Sequence, residues 1–220
     1  MDGFCRTVSI MPEDEITNFE EPSRLRAYGM MFELNIIGRP YYRRYVESLG
    51  LRGDERVLEY GSGPGAASQY VAQRLVSGGG HLTCVDISSV WMTYLKRRMH
   101  GYQNVAFKLG DIVTLDVQDE SYDVVTIHFV LHEIEHSERQ EKVNALARTL
   151  KSGGAMFVRE PFSERHGMPP EEIRTLVGST GLREVRSAIA KPRFWLNYSD
   201  WLFEKHPTEA CAGNDEAERS

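Results

Sequence analysis

The run Val57-Leu58-Glu59-Tyr60-Gly61-Ser62-Gly63-Pro64-Gly65 constrains this chain more than any other stretch. A short apolar strand carrying an acidic residue leads into glycines at alternate positions. Ala66, Ala67, Ser68, Gln69, Tyr70 and Val71 then take up a helical pattern at once. A glycine turn between strand and helix lets a ligand approach the backbone where side chains would block it. The helix N-terminus adds unpaired N–H groups. Such a turn suits nucleotides in general, so alone it leaves the ligand open.

Carboxylates downstream narrow the choice. Strand-like Leu82-Thr83-Cys84-Val85 ends at Asp86, about 20 residues past the glycines, where a carboxylate can bind both hydroxyls of a ribose. Val105 to Leu109 ends at Gly110-Asp111, and a carboxylate there can accept from an adenine amino group. A fourth run, Tyr122-Asp123-Val124-Val125-Thr126-Ile127, ends at His128 and continues as Phe129-Val130-Leu131-His132-Glu133-Ile134.

Together these residues resemble the class I S-adenosylmethionine-dependent methyltransferases of the small-molecule type, with a bare core domain. The resemblance is carried by the E-x-G-x-G-x-G turn, Asp86, Gly110-Asp111, the Y-D-V-V strand with its V-L-H-E-I continuation, and Leu150-Lys151-Ser152-Gly153-Gly154 before a fifth strand. It spans residues 40–205, in the family's order and spacing. It implies a Rossmann-like three-layer αβα sandwich under an N-terminal helical cap, with a seven-stranded, mostly parallel sheet ending in an antiparallel strand pair. It also implies S-adenosyl-L-methionine as cofactor and S-adenosyl-L-homocysteine as its product. Glu59 would help hold the cofactor's amino-acid end, Asp86 the ribose and Asp111 the adenine. Gly61, Ser62, Gly63, Gly65, Ile87, Ile112, His128 and Phe129 complete the expected cofactor set.

Gly61-Ser62-Gly63-Pro64-Gly65-Ala66 also fits the dinucleotide pattern G-x-G-x-x-G/A, with Asp86 in place for a ribose. An NAD(P)-dependent oxidoreductase is therefore one alternative. Glu59 and Gly110-Asp111 speak against it, as does the want of a separate substrate domain. A catalytically silent cofactor-binding partner subunit is another, since fold does not fix function.

His132-Glu133-Ile134-Glu135-His136 spells H-E-x-x-H, which on a helix would present two imidazoles to zinc. Here the motif begins within a few residues of a strand end. Ser137-Glu138-Arg139-Gln140 matches a capping box, so the next helix is expected to start at Ser137 and leave His136 in a loop. No metal site is expected. His128 sits at a strand's carboxyl end, where ligands bind in α/β sheets. His132 is the candidate general base, because imidazole titrates near neutral pH. Glu160 is similarly placed. Tyr42 is the other candidate catalytic side chain, facing the acceptor from the segment before the first strand. Trp195, Tyr198 and Trp201 are expected to pack the final hairpin.

The chain divides into a flexible N-terminus (1–14), a helical cap (15–50), the cofactor-binding domain (51–205) and a disordered tail (206–220). Behind Pro40, Tyr42, Tyr45, Val46 and Leu49 share one helical face. Residues 15–45, with Phe32, Tyr41 and Tyr42, form either a mobile lid or a fixed packing segment. Ser88 is placed to cap a helix that buries Trp91, Met92, Leu95 and Met99. Val143, Leu146, Ala147 and Leu150 continue the Ser137 helix, with Gly153 as its C′ residue.

A net charge of −6 argues against a general nucleic-acid-binding surface. Cys5, Cys84 and Cys211 share no motif spacing, which fits a reducing compartment. No apolar run approaches the roughly 18 residues of a membrane span, and no signal peptide is evident. The expectation is a cytoplasmic protein with a small-molecule methyl acceptor and neither nucleic acid nor membrane as partner. Arsenite is not the expected acceptor, because thiolate chemistry asks for more cysteine. The acceptor atom and the oligomeric state stay open.

Overall fold

The computed structural model describes residues 21, 23, 38–162, 167–191 and 197–207. The expected flexible N-terminus, Phe32, Trp195, Cys5, Cys211 and most of the expected tail lie outside them. Helix α1 (Arg39–Ser48) precedes β1 (Arg56–Tyr60), α2 (Ser68–Val76), β2 (His81–Asp86), α3 (Ser89–Arg98) and β3 (Val105–Leu109). Then follow β4 (Tyr122–His128), a 3-10 turn (Leu131–Glu133), α4 (His136–Thr149), β5 (Leu150–Pro161), α5 (Pro170–Gly178), β6 (Arg183–Ala190) and β7 (Tyr198–Glu204).

The strands form one sheet in the order β3-β2-β1-β4-β5-β7-β6. Strands β1 to β5 are parallel, and β7 runs antiparallel to both β5 and β6. The expected seven-stranded sheet with its antiparallel C-terminal pair is therefore what forms. The strand order reverses at β1, which lies between β2 and β4. Ligands of open α/β sheets bind outside the carboxyl ends of the strands at such a reversal. The glycine turn after β1 and His128 at the end of β4 both stand there.

Helices on both faces explain why β1 reads as an apolar run. On one face Leu58, Tyr60, Val125 and Ile127 pack with Val143 and Leu146 of α4 and Ile173 of α5. On the other, Val57, Leu82 and Cys84 pack with Val71 and Leu75 of α2 and Met92 and Leu95 of α3. Tyr42, Tyr45, Val46 and Leu49 of α1 join this second layer, as their spacing predicts. Burying each large side chain contributes about 1.5–3 kcal/mol, which anchors α1 to the sheet. Ser88 caps α3, its side chain accepting from the Trp91 N–H. Met92, Leu95 and Met99 are buried, whereas Trp91 is only half-buried.

Two local expectations fail. Helix α4 starts at His136, behind Glu135, with no side-chain cap. The capping box does not form: the helix has already begun before Ser137, and Gln140, the residue that would reach back, donates instead to Asn144 at 2.9 Å and to the Leu176 carbonyl at 3.2 Å. Nor is Gly153 a helix terminus: α4 runs straight into β5 at Leu150, and Gly153 (φ +76°) sits where the β4–β5 register slips.

Candidate cofactor cleft and active site

Local backbone shape sets the turn. Gly61 and Gly65 both have positive φ, and a Cβ on either would strike a side chain: Val130 at 2.3 Å, or Leu95 at 2.5 Å. Gly63 (φ +52°) differs, because a Cβ there would meet nothing within 4 Å. The middle glycine thus faces open space at the entrance to α2, while the outer two are wedged against the fold. Asp86, at the end of β2, secures the turn: Oδ2 accepts the Gly63 N–H at 2.6 Å and Oδ1 the Ser88 N–H at 2.8 Å. Burial raises its pKa, and these backbone bonds offset only part of the rise. Each oxygen keeps a further lone pair for a ligand.

Beneath the turn, Glu59 is 5% exposed and has no ion-pair partner among the described residues. The Cys84 thiol lies 3.8 Å from its carboxyl. Burial pushes the Glu59 pKa up to about 7, against the opposing pull of Ser68 and Cys84. A buried carboxyl without a cation is costly to ionise, so this position favours an arriving cation. Asp111 follows β3, its carboxylate bound to the Val113 N–H at 3.0 Å and to Lys142 Nζ at 2.8 Å. Ile87 is half-buried and Ile112 fully buried, so the Ile112 side chain belongs to the core and leaves only its backbone for a ligand.

At the end of β4 the chain bends sharply. Phe129 adopts φ +58°, an uncommon conformation for an aromatic residue, and its N–H bonds the Arg159 carbonyl at 2.8 Å. This bend lays Val130 against Gly61. Glu160, at 0% exposure, fixes the bend from below, accepting from Val130 N at 2.9 Å and Leu131 N at 2.8 Å. Its other oxygen lies 2.7 Å from His132 Nδ1. Nε2 of the same ring meets Glu133 at 3.0 Å. Burial alone would lower the His132 pKa, but the two carboxylates outweigh it and push it up to about 9. His132 is therefore an imidazolium at neutral pH and not the free base that its ordinary pKa suggests.

On the opposite face of the sheet, Arg159 pairs with Asp200 across β5 and β7 through both Nε and Nη2. The rings of Tyr198, Tyr45 and Tyr41 surround its guanidinium at 4.4, 4.7 and 5.5 Å. Tyr41 Oη is 2.9 Å from His128 Nε2. Tyr42, one of the two candidate catalytic residues, is buried with its ring 5.5 Å from that of His128. Burial, with Arg159 adding to it, pushes the His128 pKa down to about 3, which keeps the ring neutral. Tyr45 Oη is buried without a hydrogen-bond partner.

The sequence motifs missed Tyr45, Arg159, Asp200 and Lys142. Tyr45 showed only as a core position, and Arg159 lies one residue before the Glu160 that was singled out. Tyr198 covers Arg159, whereas Trp201 packs the hairpin by stacking on Phe203 at 5.9 Å. The H-E-x-x-H string splits: His132 lies in the 3-10 turn bound to Glu160, and the exposed His136 ring opens α4 beside Glu172, 3.6 Å away. Among the described residues no cluster of His, Cys, Asp and Glu could hold a metal ion, and no helix is long and apolar enough to cross a membrane.

The Methyltransferase domain family profile matches residues 57–154. The ubiquinone/menaquinone biosynthesis C-methyltransferase UbiE of Proteus mirabilis (strain HI4320) is 30% identical over 83% of this chain and 73% of its own length. The chain belongs to the S-adenosylmethionine-dependent methyltransferases. A mouse arsenite methyltransferase is 33% identical over 54% of this chain, which spans only 34% of the mouse protein. Another first-ranking relative, a Clavibacter sepedonicus demethylmenaquinone methyltransferase, is spanned over 41% of its length. Among solved structures, the N-methyltransferase NodS from Bradyrhizobium japonicum WM9, in complex with S-adenosyl-L-homocysteine, superposes with a TM-score of 0.65. It is 15% identical, covering 81% of this chain and 97% of NodS. Family membership decides between the two glycine-turn readings, and the oxidoreductase alternative falls.

The methyltransferase cofactor is cationic at sulfur and at its amino group, and the cleft's chemistry suits it. A buried carboxyl with no ion-pair partner among the described residues lies under the turn, the central glycine is open, and acceptor carboxylates stand after β2 and β3.

Proposed function

We propose that this chain transfers a methyl group from S-adenosylmethionine to a small-molecule acceptor. The observation that carries the proposal is the buried Glu59 carboxyl, without an ion-pair partner among the described residues, beneath an open Gly63 and flanked by Asp86 and Asp111 at neighbouring strand ends. In this reading Glu59 takes the cofactor's ammonium, Asp86 its ribose hydroxyls and Asp111 its adenine amino group. The Gly61–Gly65 turn, Ile87, Ile112, His128 and Phe129 line the remainder. When bound, the cofactor supplies an electrophilic methyl for in-line displacement at carbon.

The chain's own contribution is placement, and holding reacting groups in line can contribute about 7–11 kcal/mol. Tyr41, Tyr42, Phe129 and Tyr198 form the acceptor wall around His128. The Arg159–Asp200 pair keeps that wall rigid and electrically neutral beside a cationic methyl donor. Glu160 grips His132 at Nδ1 and the exposed Glu133 carboxylate meets Nε2 at 3.0 Å, so Nε2 takes a proton from an O–H or N–H acceptor only when Glu133 gives way to that acceptor. Because His132 rests protonated, this role opens as pH rises towards 9. Cys84, the free cysteine of the described residues, is buried in β2, which supports an acceptor other than arsenite. The acceptor is free in the cytoplasm, and the net charge of −6 supports a partner other than nucleic acid.

The experiment is incubation with methyl-labelled S-adenosylmethionine and a panel of hydroquinones, phenols and amines. Label should pass to at least one acceptor with one S-adenosylhomocysteine formed per methyl. Cofactor binding without transfer to any of them would favour the silent-subunit reading.

A further inference from the structure

Asp111 is not a free carboxylate. Lys142, on α4, brings Nζ to 2.8 Å from Asp111 Oδ2 and to 2.9 Å from Glu138 Oε2. The lysine side chain is 8% exposed, against 20% for Asp111. The second oxygen of Asp111 accepts the Val113 N–H at 3.0 Å. The carboxylate is thus gripped at both oxygens, by α4 on one side and by its own loop on the other. An ammonium is a donor only, so both contacts present Asp111 as an acceptor, and each oxygen keeps a lone pair for a ligand.

Packing does not account for a lysine here. Its neighbour Val143 and its helix-mate Leu146 are core residues. Burying an ammonium costs free energy unless it is paired, and an apolar residue would fill the position at lower cost. Glu138 lies one helical turn before Lys142 and holds it in place. The triad spends a buried cation to orient one carboxylate at the end of β3.

We propose that Lys142 is a positioning residue that fixes Asp111 as an acceptor-only group, so that the cleft selects a purine bearing an amino donor over one bearing a carbonyl. This rests on the reading of Asp111 as the adenine partner. A 6-amino purine donates to the fixed oxygen. A 6-oxo purine sets carbonyl against carboxylate. Without Lys142 only the Val113 N–H still holds Asp111, the direction of Oδ2 is no longer fixed, and the distinction weakens.

Calorimetric titration with S-adenosylhomocysteine and S-inosylhomocysteine tests this on the intact chain. The wild type should prefer the adenosyl compound. Lys142→Met should cut that preference about tenfold, and Lys142→Arg, which keeps a cation, should restore most of it. Melting curves check that each variant folds, with Lys142→Gln as the substitute if the methionine variant does not. A merely structural lysine would alter stability and leave the ratio of the two affinities unchanged, which overturns the proposal. Asp111→Asn tells which premise fails. If it abolishes the preference while Lys142→Met does not, Asp111 reads adenine unaided. If neither changes the ratio, Asp111 is not the adenine partner.

Discussion

Replacing Glu59 with glutamine keeps the shape of the side chain and removes its titration. Burial holds the carboxyl near pKa 7, where an unperturbed one stands at 4.5. A folded-state pKa above the unfolded value means that folding favours the protonated form. The stabilisation is complete below pH 4.5 and is lost as pH rises through 7. At about 1.4 kcal/mol per pH unit, that interval amounts to about 3 kcal/mol. The ligand-free wild type should therefore lose about 3 kcal/mol relative to Glu59→Gln between pH 4.5 and 8. Urea denaturation of both proteins across this range isolates the difference, because every other titrating group is common to them. Binding should show the opposite sign. The ligand's ammonium group prefers the ionised carboxylate, so affinity for S-adenosylhomocysteine should fall by nearly tenfold per pH unit below 7, with protons released on binding. Titrations in two buffers of different ionisation enthalpy count those protons. Parallel stability curves, together with pH-independent binding, would refute the reasoning.

Asp86→Ala should weaken S-adenosylhomocysteine binding by about 1.5–3 kcal/mol, the range for hydrogen bonds to a charged group; calorimetry on the folded variant checks it. Asp200→Ala leaves the buried Arg159 guanidinium without its carboxylate and should cost about 3–5 kcal/mol in urea, most of it recovered in the Asp200→Ala/Arg159→Met double variant. If residues 15–45 close over the cofactor, hydrogen exchange in that segment should slow on adding S-adenosylhomocysteine; equal protection in both states indicates fixed packing. The Glu21 carboxylate, which meets the Ser89 N–H at 2.7 Å beside Asp86, is where that closure would register first.

The fold was largely readable because its signals are local and repeated. Strands β1 to β4 are short apolar runs that end at or beside a glycine or a polar residue, and the helices between them carry an apolar face. Errors arose where a local rule met a tertiary partner. The capping box at Ser137 does not form because Asn144 and the Leu176 carbonyl claim Gln140. His132 is raised by Glu133, its neighbour in the chain, and by Glu160, distant in sequence, whose contact no local pattern announces. The Arg159–Asp200 pair was invisible because it depends on the antiparallel register of β5 and β7, which sets those residues opposite one another. Glu59 could be found because a carboxylate inside a strand buried on both faces breaks the apolar pattern around it.

The most direct test of the account is calorimetric titration of the purified chain with S-adenosylhomocysteine and, separately, with NAD and NADP. The cleft of Glu59, the glycine turn, Asp86 and Asp111 predicts one S-adenosylhomocysteine bound per chain and no measurable heat with either dinucleotide. Saturable binding of NAD or NADP, with none of S-adenosylhomocysteine, would contradict it.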